Sequence, residues 1–454
     1  MKAERKKINK GMPEFLVGLT SLGCPKNFVD TEIVAGSFLA SGKGQIVPEG
    51  KENIRFINTC SFLASAREEA FANIEEALCW KKKKKGRKVI VGGCLVSLLG
   101  QELLEKKYPA VDLFLGLDEV EMAPSLLENA QNHKALTTGK FIGDDRSPRL
   151  PLTPPHYAYL KIADGCDNCC AYCLIPTIRG SLRSRSMDSI LKEAGNLLSS
   201  GVKELIVIAQ DTSGYGRDRE DGASLAALLP KLDAFPGDYR IRLMYLHPAG
   251  ITEELVKVMK KTRHLIPFLE MPLQHIAENV LRKMGRKIFE EETKKRVALL
   301  RENGFEIRTT FLVGFPGETQ ADFDALLSYV KEMQFTRLGV FAFSPEEGTR
   351  AFEMEGAVPE EVAEERRNIL LEEQEKISLK RNENLVGKEI PVWIDFPGDE
   401  EGLYVGRTNE DAPEIDGLVY LISERELLPG EKVMVKVTAC DAYDLTAEEV
   451  ILQS

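Results

Sequence analysis

Histidine is scarce in this chain, with five in 454 residues, which leaves little material for the mixed Cys/His sites of zinc modules. No apolar run approaches the roughly 18–20 residues that a membrane span needs. The basic opening stretch MKAERKKINKGMPEF has no apolar segment behind it, so no secretory signal is expected either. There is no internal repeat, and no low-complexity segment beyond the lysine run at 81–85. These absences point to a cytoplasmic protein with no membrane partner.

Cysteine, by contrast, is plentiful: the chain holds nine. In a reducing compartment disulfides explain such a number poorly, and clustered thiols there more often bind metal or carry redox chemistry. The length calls for two to four domains, and 43% apolar residues suffice to fill their cores.

The net charge of −11 argues against nucleic acid as the main partner. Its distribution is more telling. From Gly387 onward five basic residues face sixteen acidic ones, a difference of −11, so residues 1–386 sum to zero. The acidity belongs to one terminal segment.

Periodicity divides the chain into three α/β and β segments. Strand-like runs at 15–19, 54–58, 88–92 and 112–116 alternate with helical patterns at 28–41 and 66–78, which predicts an N-terminal parallel α/β domain over residues 14–132. The Pro-rich stretch SPRLPLTPP, 147–155, resists helix and central strand alike and reads as a boundary. Six further strand candidates, at 157–162, 204–208, 241–245, 268–271, 307–313 and 338–341, again alternate with helices, which predicts a partial (βα)6 barrel over 152–384. A long charged helix, 359–384, leads out of it. Residues 387–454 lose the helical period, and EIPVWIDF, LYVGRT, LVYLI and EKVMVKVTA read as strands of a small antiparallel β-barrel.

The strongest chemical signal is GCDNCCAYC, in which Cys166, Cys170 and Cys173 are spaced C-x3-C-x2-C. Three thiolates on one short loop can hold three irons of a cubane cluster and leave the fourth open to a small molecule. An open iron beside a reducible cluster suits reductive cleavage of S-adenosylmethionine. The competing reading is a zinc knuckle through Cys166 and Cys169, but no second zinc half-site follows. The loop comes after the first strand of the second segment, at the carboxyl end where barrels of this kind place their chemistry.

Cys24, Cys60 and Cys94 form a second set. Each lies just beyond a strand, in SLGCPKN, INTCSF and VGGCLV, and in a parallel sheet all three emerge at one carboxyl edge. Small neighbours (Gly23, Gly92, Gly93) let backbone approach a cofactor. The pattern suits a second three-thiolate cluster; unrelated core thiols are the alternative. Cys79 and Cys440 read as structural.

The order of these six cysteines, followed by a small β domain, resembles the methylthiotransferases of the radical S-adenosylmethionine class, over nearly the whole chain. The wording is most similar to the RimO-type ribosomal protein methylthiotransferases, in TSLGCPKN, AYLKIADGCDN, IPTIRGSLRSR, AQDTSGYG, RLMYLHP, MPLQHI, TTFLVGFPGET, SPEEGT and APEIDGLVYL. Cys169 departs from the family pattern without disturbing the matching register. The resemblance implies two 4Fe–4S clusters. One, on Cys166, Cys170 and Cys173, binds S-adenosylmethionine and yields a 5′-deoxyadenosyl radical. The auxiliary one, on Cys24, Cys60 and Cys94, carries or binds the inserted sulfur, and a second S-adenosylmethionine supplies the methyl group. It implies a TRAM-like terminal barrel that binds substrate, an electron donor, a sulfur donor, and a target aspartate β-carbon in small-subunit ribosomal protein twelve.

Other residues carry weaker signals. Tyr172 sits inside the cluster loop, placed to contact adenine or simply to pack. Gln210 and Asp211 end the second barrel strand, and Gln274 and His275 the fourth, as cofactor or substrate contacts or as caps and turn formers. In GFPGE, Gly314 and Gly317 either admit cofactor to the backbone or form a plain strand-to-helix turn. Arg179, Arg183 and Arg185 offer an anion site or a solvated basic loop.

Relatives that modify adenosine in transfer RNA share the cysteine pattern, so that substrate stays open, as does a non-enzymatic iron–sulfur electron carrier. The terminal segment tips the balance: Glu389, Asp395, Asp399, Glu400, Glu401, Glu410, Asp411, Glu414 and Asp416 would repel RNA and speed encounter with a basic ribosomal protein.

Overall fold

The computed structural model describes residues 13–129, 133–135 and 143–450 and divides into two compact units between Pro151 and Leu152. The first is a parallel sheet of five strands, β1 (Phe15–Ser21), β2 (Gly44–Ile46), β3 (Ile54–Thr59), β4 (Lys88–Gly93) and β5 (Leu113–Leu115), in the order β2-β1-β3-β4-β5. Val89, Ile90 and Val91 are consecutive and all fully buried, as expected of a strand covered on both faces. Strand β2 escapes the sequence reading because it has three residues on an edge and no apolar period to betray it.

The second unit opens with β6 (Tyr157–Lys161) and a two-stranded hairpin, β7 (Ala163–Asp164) with β8 (Arg183–Ser184). Then come β9 (Glu204–Ile208), β10 (Arg240–Leu243), β11 (Leu265–Glu270), β12 (Glu306–Val313) and β13 (Arg337–Ala342). Six of these pair in parallel in the order β13-β12-β11-β10-β9-β6. Among the described residues the two edges, β6 and β13, do not pair with each other, so the barrel is open. Ile307, Thr309, Phe311 and Val313 of β12 are buried, while Arg308, Thr310 and Leu312 are half-buried. The buried apolar members of that row join the main core with Phe323, Leu326 and Val330 of helix Gln320–Met333.

Helix Glu360–Glu383 leads to a closed barrel of β14 (Glu389–Pro397), β15 (Leu403–Arg407), β16 (Val419–Ile422), β17 (Lys432–Cys440) and β18 (Leu445–Glu449). Four neighbouring pairs are antiparallel and one, β16–β18, is parallel. An odd number of strands cannot alternate in direction all the way round a closed ring, so one parallel pair is unavoidable.

This small barrel meets the amino ends of the parallel strands. Glu204 and Arg240 are the first residues of β9 and β10, and Tyr157 and Arg337 begin β6 and β13. Glu204 receives Arg240 at 2.6 Å, Arg242 at 2.6 Å and Arg407 of β15 at 3.4 Å. Arg407 also clasps Asp395 through two nitrogens, at 2.6 and 2.9 Å, and His156 reaches the same carboxylate at 2.7 Å. Around this centre Arg337 pairs with Asp411, Arg308 with Asp416 and Arg381 with Glu410, and the Tyr157 hydroxyl donates to Glu414.

These contacts correct one expectation. Of the nine acidic residues assigned to an outward surface, Asp395, Glu410, Asp411, Glu414 and Asp416 are spent against the parallel barrel. For Glu410, Asp411 and Asp416 the partners are arginines of residues 1–386, whereas Asp395 meets His156 and the terminal segment's own Arg407, and Glu414 meets the Tyr157 hydroxyl. Glu389, Asp399, Glu400 and Glu401 remain exposed.

Burial by itself would raise the Glu204 carboxyl, but Arg240, Arg242 and Arg407 outweigh it and hold the group well below the usual range. A carboxylate depressed in the folded state adds stability above its unfolded pKa of about 4.3, and that stability is lost as pH falls further. Replacing Glu204 by Gln strands buried arginines, so we expect a loss of about 3–5 kcal/mol in urea unfolding at pH 7. The difference from wild type should shrink below about pH 4.3.

Candidate functional site

In the second unit the loop after β7 carries Cys166, Cys170 and Cys173. Gly165, at φ +75°, starts it, and a Cβ there would lie 2.0 Å from the Ser181 carbonyl oxygen. Only glycine allows the loop to pass so close to the Gly180–Ser181 backbone. Cys166 N–H donates to Gly180, and Ala171 is tied at both ends, its N–H to Met284 and its carbonyl to the Ala351 N–H. The loop is therefore pinned to three distant segments.

Each of the three sulfurs has a hydrogen-bond donor beside it. Asn168 N–H lies 3.5 Å from Cys166 Sγ, Ile175 N–H 3.4 Å from Cys173 Sγ, and Arg286 Nη1 3.6 Å from Cys170 Sγ. Burial pushes the Cys166 thiol up to about 11 and the Cys173 thiol up to about 12, so a bound cation is needed to hold them as thiolates at neutral pH. Donors aimed at sulfur, with no carboxylate or imidazole among the candidate ligands, fit an iron–sulfur cluster. Among the described residues no three Cys, His, Asp or Glu side chains converge on a single metal-ion position. Cubane ligands need not, since each takes its own iron.

The weaker candidates fall into place around this loop. Tyr172 is engaged with Cys170 and meets Phe315 edge-on at 6.5 Å, so it packs within the loop's own cluster. Asp211 accepts from Asn168 at 2.8 Å, from Ser213 and from Gly214 N–H; it braces the cysteine loop and caps the turn that follows β9. Gln210 donates to Asp164 at 2.7 Å, and its Oε1 is buried with no protein partner. Gln274 takes the left-handed conformation, φ +72°, and still bridges to β12 through Thr310 and Leu312. His275 accepts from Ala277 N–H, its Nε2 is buried without a protein partner, and burial lowers its pKa to about 4, so the ring is neutral.

Gly314 and Gly317 answer to protein neighbours. A Cβ would fall 2.3 Å from Ala363 Cβ at the first and 1.9 Å from Lys283 Nζ at the second. Arg179 and Arg185 are neither a solvated loop nor a free anion site. Arg179 reaches Asp164 at 2.9 Å, and Arg185 is bound to Glu193, Ser189 and the Lys161 carbonyl. Burial would raise Asp164, but Arg179, Lys161 and Arg183 hold it well below its ordinary range.

In the first unit Cys24, Cys60 and Cys94 follow the three adjacent strands β1, β3 and β4. Parallel pairing of Ser21 with Asn58 and of Thr59 with Gly93 brings the three strand ends level. Cys24 caps helix Pro25–Ala40 and Cys94 opens helix Cys94–Leu99. Gly23, at φ +86°, lies against Cys60: a Cβ there would stand 2.7 Å from Cys60 Cβ and 2.8 Å from its sulfur. Gly93, at φ +94°, faces Asn58 Oδ1 at 2.2 Å on the same construction. Asn27 binds the loops together, donating to Leu22 and Thr59 carbonyls and accepting from Asn58, with Cys94 Sγ 4.0 Å from its Oδ1. Both glycines let the strand-end loops close up on one another, with Gly23 against Cys60 and Gly93 against Asn58 and Thr59. Cys79, in contrast, is exposed on helix Ala64–Lys82 and is no core thiol.

With that geometry in view, comparison with known proteins is decisive. The chain matches the Radical SAM superfamily over residues 160–330, the TRAM domain over 386–450 and the Uncharacterized protein family UPF0004 over 17–116. It is 42% identical to the ribosomal protein uS12 methylthiotransferase RimO of Pelotomaculum thermopropionicum, over 96% of this chain and 99% of that protein. It is also 42% identical to that of Carboxydothermus hydrogenoformans, over 95% and 98%. The chain belongs to the RimO-type radical S-adenosylmethionine methylthiotransferases. Among solved structures it resembles a radical S-adenosylmethionine methyltransferase, TsrM, from Kitasatospora setae, with a TM-score of 0.55, 14% identity and 72% of each chain covered. At that identity the likeness speaks for the fold alone.

A RimO-type methylthiotransferase uses an iron–sulfur cluster and S-adenosylmethionine, and the loop at Cys166–Cys173 fits the first. The residue that sequence reading missed is Arg286. It is 116 positions from Cys170, and the only hint was the glycine before it in KMGRK, marking a helix end. For Gly23→Ala we expect a cost of about 1–2 kcal/mol from the left-handed backbone alone, and further loss from the clash with Cys60. Urea unfolding and the alkylation rate of Cys60 by mass spectrometry check this; an unchanged rate would contradict the packing of Gly23 on that thiol.

Proposed function

We propose that this chain transfers a methylthio group to the β-carbon of an aspartate in ribosomal protein uS12. The reading uses two 4Fe–4S clusters, S-adenosylmethionine, an external electron donor and a sulfur donor. The observation that carries it is 40–42% identity over about 95–97% of the chain to uS12 methylthiotransferases from seven bacteria. A cytoplasmic location belongs to the same proposal, because ribosomal subunits are made there.

Cys166, Cys170 and Cys173 would hold the first cluster, leaving one iron for the amino acid end of S-adenosylmethionine. Cys24, Cys60 and Cys94 would hold the second. Bound there, such clusters supply the electron for reductive cleavage of S-adenosylmethionine and a site for the inserted sulfur. The chain's own task is placement. Asp211 and Asn168 keep the cysteine loop in one conformation, and Asp164 with Lys161, Arg179 and Gln210 forms a rigid polar floor beside Gly165. Gln210 Oε1 and His275 Nε2 are buried with no protein partner; toward a bound ligand the first would accept, and the second, protonated because neutral His275 accepts at Nδ1 from Ala277 N–H, would donate.

A basic ribosomal protein suits the terminal barrel better than RNA does. Its exposed charges are mostly acidic, including Glu389, Asp399, Glu400, Glu401, Glu424, Glu426 and Glu448, against Lys388, Arg425, Lys432 and Lys436. Such a surface speeds encounter with a cationic partner and opposes phosphate.

Anaerobic reconstitution should give about eight irons per chain. With dithionite and S-adenosylmethionine the protein should release 5′-deoxyadenosine, and Cys166→Ala should abolish that release. Cys60→Ala should spare much of it while blocking methylthiolation of uS12. Methylthiolation of transfer RNA alone, with both substrates offered separately, would overturn the choice of substrate, and zinc in place of iron would overturn the whole reading.

A further inference from the structure

The three cysteines of the second unit are not served alike. Cys166 and Cys173 each face an amide two residues further along their own loop. Those donors come with the loop conformation and carry no net charge. Cys170 faces a guanidinium. Arg286 Nη1 lies 3.6 Å from its sulfur, while Nη2 is anchored on the Pro272 carbonyl at 3.0 Å.

The position of that guanidinium is built in. Helix Glu278–Lys283 ends in a paired motif: Gly285 N–H donates to the Arg282 carbonyl and Arg286 N–H to the Leu281 carbonyl, with Gly285 at φ +70°. This is the left-handed helix stop that glycine favours. It turns the chain back so that Arg286 enters the cysteine loop. The adjoining Met284 carbonyl accepts the Ala171 N–H, which locks helix end and loop together. Arg350, donating to the Cys169 carbonyl at 2.6 Å, stands against Gly285 on the other side, where a Cβ would meet its Nη2 at 2.8 Å. Arg286 is only 7% exposed. A buried arginine is rare without a partner; this one hydrogen-bonds the Pro272 carbonyl and the Cys170 sulfur, with the Asp211 carboxylate within electrostatic reach.

We propose that Arg286 sets the reduction potential of the cluster held by Cys166, Cys170 and Cys173, as a positioning residue that acts through the Cys170 sulfur. The proposal rests on that cluster being present, as read above. One-electron reduction adds a negative charge to an already anionic assembly of three thiolates and the metal core. A buried cation one hydrogen bond away stabilises the more negative state, because low surrounding polarity leaves its field poorly screened. Without Arg286 the oxidised cluster would be favoured and the electron harder to deliver. Cys169, beside the ligands, gives its carbonyl to Arg350.

The test is made in a chain carrying Cys24→Ala, Cys60→Ala and Cys94→Ala, so that one cluster alone reports. After anaerobic reconstitution, iron content and a redox titration followed by electron paramagnetic resonance are compared for Arg286, Arg286→Lys and Arg286→Gln. We expect four irons in each, and a potential displaced to more negative values in Arg286→Gln. The reduced-to-oxidised ratio at a fixed applied potential should fall by about tenfold, which is 59 mV for one electron. Arg286→Lys keeps the charge and should stay close to the parent. A Gln variant with full iron and the parent's potential would overturn the proposal alone. A parent chain without iron would overturn the reading on which it rests. If Arg286→Gln loses its iron, Arg286→Lys decides: iron retained at the parent's potential supports the role of charge, and iron lost there too reassigns Arg286 to holding the loop.

Discussion

The meeting of Cys24, Cys60 and Cys94 depends on parallel strand pairing. Parallel strands all finish at one edge of their sheet, and the chain must cross back before starting the next. A residue just after each strand therefore meets its counterparts from neighbouring strands, however far apart they stand in sequence. Cys24, Cys60 and Cys94 are brought level in this way, by the pairing of Ser21 with Asn58 and of Thr59 with Gly93. A slip of one residue would turn the strand faces over and separate the three thiols. Asn27 and Asn58, buried between the loops and hydrogen-bonded across them, oppose such a slip.

The opposite edge of the six-stranded sheet has a different task. Strand beginnings carry Glu204, Arg240, Arg308 and Arg337, and the terminal barrel answers with Arg407, Asp395, Asp411 and Asp416. A buried network of this kind gains little over a well-packed apolar contact and costs heavily when one member is removed. What it provides is orientation, since charges of both signs on both surfaces match in one arrangement. The odd distribution of charge along the sequence then has a structural origin. Part of the terminal segment's −11 is met at this interface, where Glu410, Asp411 and Asp416 pair with Arg381, Arg337 and Arg308. Only the acids left outside it are available to a partner.

The strand and helix pattern was readable because both sheets are buried on two faces, so strands such as KVIVG and ELIVI stand out as apolar runs between helical periods. The cysteine sets were readable for two different reasons, one by tight spacing on a loop and the other by a repeated position after strands. Orientation was not readable. Asp395 and Asp399 lie four residues apart and look alike in sequence, yet one is clasped by Arg407 and the other is exposed. Arg179 and Arg185 sit in a run that reads as a basic loop, and both are buried against carboxylates that their own fold brings to them. Gly314 and Gly317 read either as a close approach to a cofactor or as a strand-to-helix turn, and the neighbours a Cβ would meet there are Ala363 and the end of the Lys283 side chain. Charges and glycines state a need for a neighbour without naming it, whereas periodicity names the element directly.

The two cysteine sets also differ in what must happen before a metal can bind. Cys166 and Cys173 are seven positions apart and Cys24 and Cys94 seventy, so closing the second loop from an open chain costs roughly 2 kcal/mol more. More important, the first set lies on one loop whose own amides already face two of its sulfurs, while the second exists only once β1, β3 and β4 have paired. A site on a single loop can be shaped by local hydrogen bonds and tuned by one side chain from elsewhere, which is the arrangement at Cys170. A site spread over three strand ends has no such local frame, and its shape is the shape of the sheet. Glycines at Gly23 and Gly93 are then requirements of the sheet edge itself, because any side chain there would press on Cys60 or Asn58 and spoil the only frame the three thiols have.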